Sequence, residues 1–274
     1  MSKTIDTGTN ELLCVVRSRV AVITLNRPEA RNALSDQLTP ALRTMIRVCG
    51  EDPGVGALLI TGAGQAFCAG GDVKSMGSHR NQAKQAMSFD DKVADLQERQ
   101  RTLTGALVSV RKPTIAVLPG AAAGAGLAIA MACDIRVAAE SAFVTTGYLR
   151  VGLSGDYGIA WLLTRLVGTS RARELMFTGD KIDAWRAETI GLVKRVVPDA
   201  RLQEEAFALA KAIAEGPTIA LRYMKDNLDE ALAFDFATAR DHEAVRLVKS
   251  GATADHHEAV QAFIEKRKAN FQGA

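Results

Sequence analysis

Two glycine-rich segments of the sequence offer backbone N–H groups instead of reactive side chains. Ala66-Phe-Cys-Ala-Gly-Gly71-Asp follows the apolar run 57–62, and Gly120-Ala-Ala-Ala-Gly-Ala125-Gly follows the apolar run 114–118. Small residues leave the main chain uncovered, so another molecule can approach its amides closely. The second segment also leads into an apolar helix, whose N-terminus has free N–H groups and a positive dipole end. Paired amides aimed at one oxygen form an oxyanion hole, which suits a carbonyl that becomes an enolate or a tetrahedral adduct.

Other familiar sites are incomplete. Gly124-Ala-Gly-Leu-Ala-Ile129 lacks the third small residue of a dinucleotide fingerprint, and no phosphate-binding loop ending in Gly-Lys-Ser or Gly-Lys-Thr occurs. Gly152-Leu-Ser-Gly-Asp156 resembles a nucleophile elbow only in part, because Asp156 replaces the final glycine. His242 and His257 are each followed by Glu but lack the second histidine of a zinc motif. We expect both to lie on solvated helix faces, and we expect no metal site.

Composition indicates a globular chain of a reducing compartment. Hydrophobic residues make up 47% and charged residues 24%, which allows a sizeable core, while the net charge of +3 is too small to predict nucleic-acid binding. No stretch approaches the roughly 20 apolar residues needed to span a membrane, and the first residues lack a signal-peptide core. The four cysteines are scattered without a C-x-x-C pair. We therefore expect a cytoplasmic protein that binds neither nucleic acid nor membrane.

The elements around the two segments follow an α/β pattern. Residues 11–25 predict a β-hairpin, residues 26–32 a loop, and Ser35 can cap a helix whose apolar face contains Leu38, Leu42, Met45 and Ile46. A strand at 56–61 follows. Strand, helix and strand in this order predict a parallel sheet that is covered on both faces. Further strands are predicted at 114–118, 134–138 and 142–146.

The remaining segments are predicted as helices or loops. Residues 91–110 show a helical apolar stripe that includes Val93 and Leu96, whereas the polar segment 74–89 has no period and is interpreted as a mobile lid or an irregular loop. From Asp156 onward the pattern is helical, apart from a short strand at 192–197. We predict a core over residues 1–200 and a C-terminal helical region over 201–274 that provides lids and oligomer contacts.

Several motifs in order resemble the crotonase (enoyl-CoA hydratase/isomerase) superfamily over nearly the whole chain. They are Ile23-Thr-Leu-Asn-Arg-Pro-Glu-Ala-Arg-Asn-Ala-Leu, Leu59-Ile-Thr-Gly, Ala66-Phe-Cys-Ala-Gly-Gly-Asp, Lys112-Pro-Thr-Ile-Ala, Gly120-Ala-Ala-Ala-Gly-Ala-Gly, Met131-Ala-Cys-Asp and Gly191-Leu-Val. The resemblance implies a crotonase-like α/β spiral of ββα units with a helical C-terminal region. It also implies a homotrimer or a dimer of trimers.

The resemblance also implies a site. The amides of Gly71 and Ala125 would hold the thioester oxygen of an acyl-CoA; relatives usually have glycine where this chain has Ala125, but the backbone donor survives that change. Coenzyme A would enter as part of the substrate, with no separate cofactor. The segment that contains Ala66, Cys68, Ala69 and Gly70 would line the pocket for its adenine. The loop that contains Arg27 and Arg31 would border its phosphates.

The acids depart from the family pattern. Hydratases of the family use two glutamates, and the matching positions here are Ala128 and Tyr148. Alanine cannot transfer a proton, and a tyrosine of ordinary pKa is a poor base at neutral pH. Asp156 stands where related isomerases use an aspartate as a proton shuttle and related dehalogenases use one as a nucleophile. Two alternatives stay open: Asp156 can act in catalysis or cap the following helix, and Tyr148 can be a pocket wall or a hydroxyl donor to the substrate.

Three functions are compatible with these residues. The first is isomerisation of an enoyl- or related acyl-CoA, with Gly71 and Ala125 stabilising an enolate and Asp156 moving the proton. The second is an enoyl-CoA hydratase with a modified water site, or an acyl-CoA hydrolase or dehalogenase. The third is a catalytically silent CoA-binding subunit.

Overall fold

The computed structural model describes residues 2–72 and 87–274, and within them the strands form two sheets. The larger has seven strands: β1 Ser2–Ile5, β2 Leu12–Arg17, β3 Val20–Leu25, β4 Ala57–Gly62, β6 Thr114–Leu118, β8 Ile135–Ala139 and β11 Arg195–Val197. The smaller has four: β5 Ala66–Cys68, β7 Ala121–Ala123, β9 Phe143–Thr145 and β10 Ile182–Asp183.

The larger sheet is antiparallel at one edge and parallel beyond it. Strands β1, β2 and β3 pair antiparallel, and β3, β4, β6, β8 and β11 then pair parallel in that order. Strands β4 and β6 are buried along their whole length, as expected for parallel strands covered on both faces. The predicted hairpin and the predicted parallel sheet are both confirmed.

The smaller sheet receives the chain each time it leaves the larger one. Strand β5 follows β4, β7 follows β6 and β9 follows β8, and these three short strands pair parallel in the order β5, β7, β9. A helical segment then returns the chain to the larger sheet. The repeated order of strand, strand and helix forms a spiral, and it stacks the two glycine-rich segments side by side.

Helices cover the sheets and form the C-terminal part of the chain. They are α1 Leu38–Glu51, α2 Phe89–Gln100, α3 Ala106–Ser109, α4 Ala125–Ala132, α5 Ile159–Val167, α6 Thr169–Thr178, α7 Ala184–Thr189, α8 Leu202–Ala214, α9 Thr218–Glu230, α10 Phe236–Gly251 and α11 Ala254–Glu265. A π-helical turn, Arg101–Gly105, joins α2 to α3. None of the described helices is long and apolar enough to cross a membrane.

Helix α4 lies in the centre of the core and α1 covers an outer face. All eight residues of α4 are buried, from Ala125 to Ala132. The predicted apolar face of α1 is buried as well, and the Ser35 hydroxyl accepts a hydrogen bond from the amide of Leu38 at 2.9 Å. Ser35 thus binds an amide at the start of α1, but the residue that directly precedes the helix is Gln37, whose side chain makes no capping hydrogen bond.

Some sequence-based predictions differ from the structure. The stripe predicted for residues 91–110 is buried only in its second half, since Val93 and Leu96 are exposed while Leu103 and Leu107 are buried. The sequence does not predict strands β1, β5, β7 and β10, because segments this short carry no clear period. The sequence predicts a lid or an irregular loop for residues 74–89. Positions 74–86 of this segment lie outside the described residues, and its last residue, Phe89, begins α2.

Candidate active site

The first glycine-rich segment is held in place by the loop that precedes α1. Buried Asn32 donates through Nδ2 to the carbonyl oxygens of Ala63 at 3.0 Å and Ala66 at 2.8 Å. The Ala69 amide donates to the carbonyl oxygen of Arg31 at 3.0 Å, and the Leu34 amide to that of Gly70 at 2.8 Å. These bonds fix the backbone from Ala66 to Gly70, and a parallel bridge between Leu34 and Gly71 continues the contact.

The second glycine-rich segment ends at the N-terminus of α4. Gly124 lies just before the helix with a φ of +52°, a value that L side chains rarely adopt. Its amide donates to the carbonyl oxygen of Thr145 at 3.1 Å, which ties the start of α4 to the end of β9. Ala125 is the first residue of the helix, so its N–H has no partner one turn earlier.

Close backbone packing brings the two segments together. A Cβ added to Gly70 would lie 2.8 Å from the carbonyl oxygen of Ala123 and 3.5 Å from the amide nitrogen of Ala125. A Cβ on Gly126 would lie 2.2 Å from the carbonyl oxygen of Cys68. No side chain fits at either place, so glycine is what lets the pairing of β5 with β7 continue into adjoining loops.

A single cleft contains both segments and the acid that follows them. It is lined by Ala69, Gly70, Gly71, Ala123, Gly124, Ala125, Thr146, Gly147, Tyr148, Val151, Leu153 and Asp156. Within the described residues, 2–72 and 87–274, no protein group accepts a hydrogen bond from the amide of Gly71 or of Ala125. The predicted oxyanion donors therefore share one cleft and are unpaired within this part of the chain.

Asp156 enters the cleft and is bound by Tyr148. The Tyr148 hydroxyl donates to Oδ1 of Asp156 at 2.5 Å. Burial raises the pKa of the Asp156 carboxyl, and the hydrogen bond from Tyr148 acts in the opposite direction. Burial, followed by the charge of Asp156, raises the pKa of the Tyr148 hydroxyl. The pair is thus a carboxylate with increased proton affinity beside a phenol that keeps its proton.

The capping alternative for Asp156 is not what the structure shows. The helix α5 begins after Gly158 with no side-chain cap, and the Ile159 amide bonds to the backbone carbonyl oxygen of Asp156 rather than to its carboxylate. The intervening loop turns the side chain away from α5, because Gly155, Tyr157 and Gly158 all have positive φ. The carboxylate is therefore available to the cleft.

Ala128 and Tyr148 stand at the two positions that the resemblance matches to the glutamates of hydratases, and their surroundings differ. Ala128 is fully buried within α4 and offers no proton-transfer group. Tyr148 both lines the cleft and donates its hydroxyl, but to Asp156. Tyr148 is thus a wall of the cleft, while donation of its hydroxyl to a substrate stays a prediction.

The residues predicted to bind coenzyme A fall into three groups. Ala69 and Gly70 line the cleft, and Arg31 is exposed and accepts the hydrogen bond from the Ala69 amide through its carbonyl oxygen. Arg27 is largely buried and contacts Glu11, Asp72 and the carbonyl oxygen of Ala33. Ala66 and Cys68 are buried, and burial raises the pKa of the Cys68 thiol to about 12, so it stays protonated. Contact of these residues with a bound coenzyme stays a prediction.

Sequence reasoning missed three side chains of the cleft. Thr146, Val151 and Leu153 line it, and Val151 and Leu153 are half exposed. The available signal was the spacing of Gly147, Gly152 and Gly155, which marks a tightly turned segment with positive φ rather than an ordinary loop.

Known proteins resemble nearly the whole chain. The sequence profile described as enoyl-CoA hydratase/isomerase matches residues 16–274. The mitochondrial enoyl-CoA hydratase of Pongo abelii is 37% identical over 253 residues, covering 92% of this chain and 83% of that protein. The 1,2-epoxyphenylacetyl-CoA isomerase of Escherichia coli is 34% identical over 262 residues, covering 96% and 98%.

The comparison with solved structures agrees with the sequence comparison. The crystal structure of enoyl-CoA hydratase from Bacillus anthracis superimposes with a TM-score of 0.88 at 32% identity, covering 96% of this chain and 100% of that one. The crotonase-like spiral with a helical C-terminal region, expected from the sequence, is therefore confirmed.

Proposed function

The chain belongs to the enoyl-CoA hydratase/isomerase family, and we propose that it isomerises an enoyl- or related acyl-CoA with Asp156 as the proton shuttle. The observation that carries the proposal is the cleft in which the Asp156 carboxylate accompanies the amides of Gly71 and Ala125. Ala128 supplies no second base, so one acid has to serve both ends of the reaction.

The chemistry follows from these groups. Asp156 removes a proton from the carbon next to the reacting double bond, and the electron pair moves toward the thioester oxygen. The amides of Gly71 and Ala125 stabilise the enolate that forms, with the dipole of α4 adding to the positive potential. Return of the proton from Asp156 to a different carbon completes the isomerisation without any co-reactant. The raised pKa of Asp156 favours it as a base near neutral pH.

Asp156→Asn tests the proposal on a panel of enoyl-, dienoyl- and aryl-CoA thioesters. We expect turnover to fall by about 100-fold or more, because positioned acid–base groups contribute about 10² to 10⁴. Binding of the thioesters should persist, since the amides are untouched. Asp180→Asn, which neutralises an exposed carboxylate elsewhere, serves as the matched control. Unchanged turnover in Asp156→Asn would remove Asp156 as the proton carrier.

Hydration is the second candidate, and the similarity to a protein named enoyl-CoA hydratase favours it. In that case the Tyr148–Asp156 pair would order the water that two glutamates order elsewhere. Conversion of crotonyl-CoA to its 3-hydroxy product as the main activity would decide for hydration. Tight thioester binding without any product would instead support a silent CoA-binding subunit.

A further inference from the structure

Tyr148 lies between the acid and the second oxyanion segment. Its hydroxyl donates to Asp156, and a Cβ added to Gly124 would lie 3.9 Å from the same hydroxyl oxygen and 3.8 Å from Cζ. Gly124 directly precedes Ala125, one of the two amide donors. The tyrosine ring therefore sets the spacing between the proton carrier and the place where an oxyanion would be held.

The ring itself has a fixed place. Tyr148 is 6% exposed and begins a 3-10 turn, Tyr148–Val151, between Gly147 and Gly152, which both have positive φ. The Leu153 amide donates to the carbonyl oxygen of Tyr148 at 3.1 Å and closes the turn. A buried, close-packed ring has few alternative rotamers, so its hydroxyl holds a partner in one orientation.

Building on the proposed function, we propose that Tyr148 is a positioning residue whose hydroxyl holds Oδ1 of Asp156 and presents Oδ2 to the acyl carbon. Among the described residues, Oδ2 has no hydrogen-bond partner. Tyr148 does not carry the proton itself, because the raised pKa of its hydroxyl keeps it protonated. Its part is instead to orient the carboxylate by donating a hydrogen bond to it.

The same hydrogen bond affects the pH at which Asp156 ionises. Burial raises the pKa of Asp156 and Tyr148 lowers it. The nearby titratable group of the same loop is Tyr157, which in turn faces Arg43 of α1 and Arg99 of α2. Loss of the Tyr148 hydroxyl should therefore raise the pKa of Asp156 further. Since a base must be ionised to accept a proton, the acidic limb of the rate profile moves to higher pH.

Tyr148→Phe tests the inference, because it removes the hydroxyl and keeps the ring. We expect kcat to fall about 10- to 100-fold, the range for a hydrogen bond to a charged group, with KM little changed. The acidic limb should shift upward in pH. Tyr157→Phe is the matched control, since Tyr157 is equally buried but its hydroxyl faces Arg43. The control should keep kcat and the pH profile.

A second measurement separates this inference from the proposed function. The carboxyl ¹³C signal of Asp156, assigned by its loss in Asp156→Asn, reports the pKa without turnover. An upward pKa shift in Tyr148→Phe together with reduced kcat supports the positioning role. If Asp156→Asn is inactive while Tyr148→Phe has unchanged kcat or unchanged titration, the inference fails and the proposed function stands. Full turnover in Asp156→Asn overturns the proposed function itself.

A third variant covers the case in which Tyr148→Phe does not fold. Incorporation of 3-fluorotyrosine at position 148 keeps the ring and the hydroxyl but makes the hydroxyl a stronger donor. The pKa of Asp156 should then fall, and the acidic limb should move to lower pH. An unchanged limb would contradict the inference.

Discussion

At the residue scale, we propose that backbone amides supply the hydrogen-bond donors of the cleft. Gly71 and Ala125 offer N–H groups, so the side chain at position 125 has little direct effect on the donor itself. This explains why alanine is compatible with a place where relatives usually have glycine. A residue that removes the N–H, in contrast, would abolish half of the proposed oxyanion hole.

Ala125→Pro tests that half directly. Proline is tolerated at the first position of a helix, where Ala125 stands, and it replaces the amide hydrogen by a ring carbon. We expect kcat to fall about 100- to 1000-fold, the cost of one oxyanion donor. Ala125→Gly keeps the amide and should keep turnover. Circular dichroism of both variants checks the fold, and equal kcat values in the two folded variants would contradict a donor role for this amide.

At the element scale, the contact between α4 and β5 decides whether the two amide donors share one cleft. Gly126 faces the backbone of Cys68 so closely that no Cβ fits. Buried Arg136 on β8 holds the other end of α4, donating to the carbonyl oxygens of Met131 and Cys133. The helix is thus fixed by close backbone packing near its start and by a guanidinium at its end, where a cation also suits the dipole.

Gly126→Ala tests the packing of α4 against β5. The added methyl group would have to push two buried backbones apart, so we expect a loss of about 1–3 kcal/mol in the free energy of unfolding. Urea unfolding measures this. Gly251→Ala is the control, because it also lies in a helix but a Cβ there meets nothing within 4 Å. The control should be neutral or stabilising by about 1 kcal/mol at most. Equal midpoints for the two variants would show that α4 shifts without cost.

At the scale of the whole molecule, polar contacts attach the C-terminal helices to the sheets. Buried Lys225 of α9 pairs with Asp134 at 2.9 Å, and Asp134 also accepts hydrogen bonds from the amide and hydroxyl of Thr114. Arg111 bridges to Asp226 and Asp229 of the same helix. Helix α9 is therefore anchored at the start of β6 and β8, while α10 and α11 keep large apolar side chains exposed.

The exposed side chains indicate where assembly is to be tested. Met224 of α9 and Leu247 of α10 line one groove and are 55% and 71% exposed. Apolar residues exposed together often mark a protein interface, so the homotrimer or dimer of trimers implied by the resemblance stays our prediction. Light scattering should give the mass of such an assembly, and Leu247→Lys should lower it. Leu13→Lys, at an exposed leucine of β2, should leave the mass unchanged. A wild-type mass of one chain would contradict the prediction.

The sequence by itself determined the longer elements and the amide-rich segments. Apolar periods placed the main strands and helices, and small residues marked the two loops, because both properties are local to a few consecutive residues. The division into a core over 1–200 and a helical region over 201–274 also rests on such local patterns, and it stays a prediction. The order of motifs also identified the family that the comparisons then showed.

Only the tertiary structure decided how distant residues meet. Residues 69–71, residues 123–125 and Asp156 share one cleft because the short strands β5, β7 and β9 pair in a second sheet, and no local sequence pattern predicts that pairing. The orientation of Asp156 depends likewise on positive φ values at Gly155, Tyr157 and Gly158 and on a hydroxyl eight residues earlier. Whether a carboxylate caps a helix or faces a cleft is a matter of such backbone angles and partners, which residue type alone does not specify.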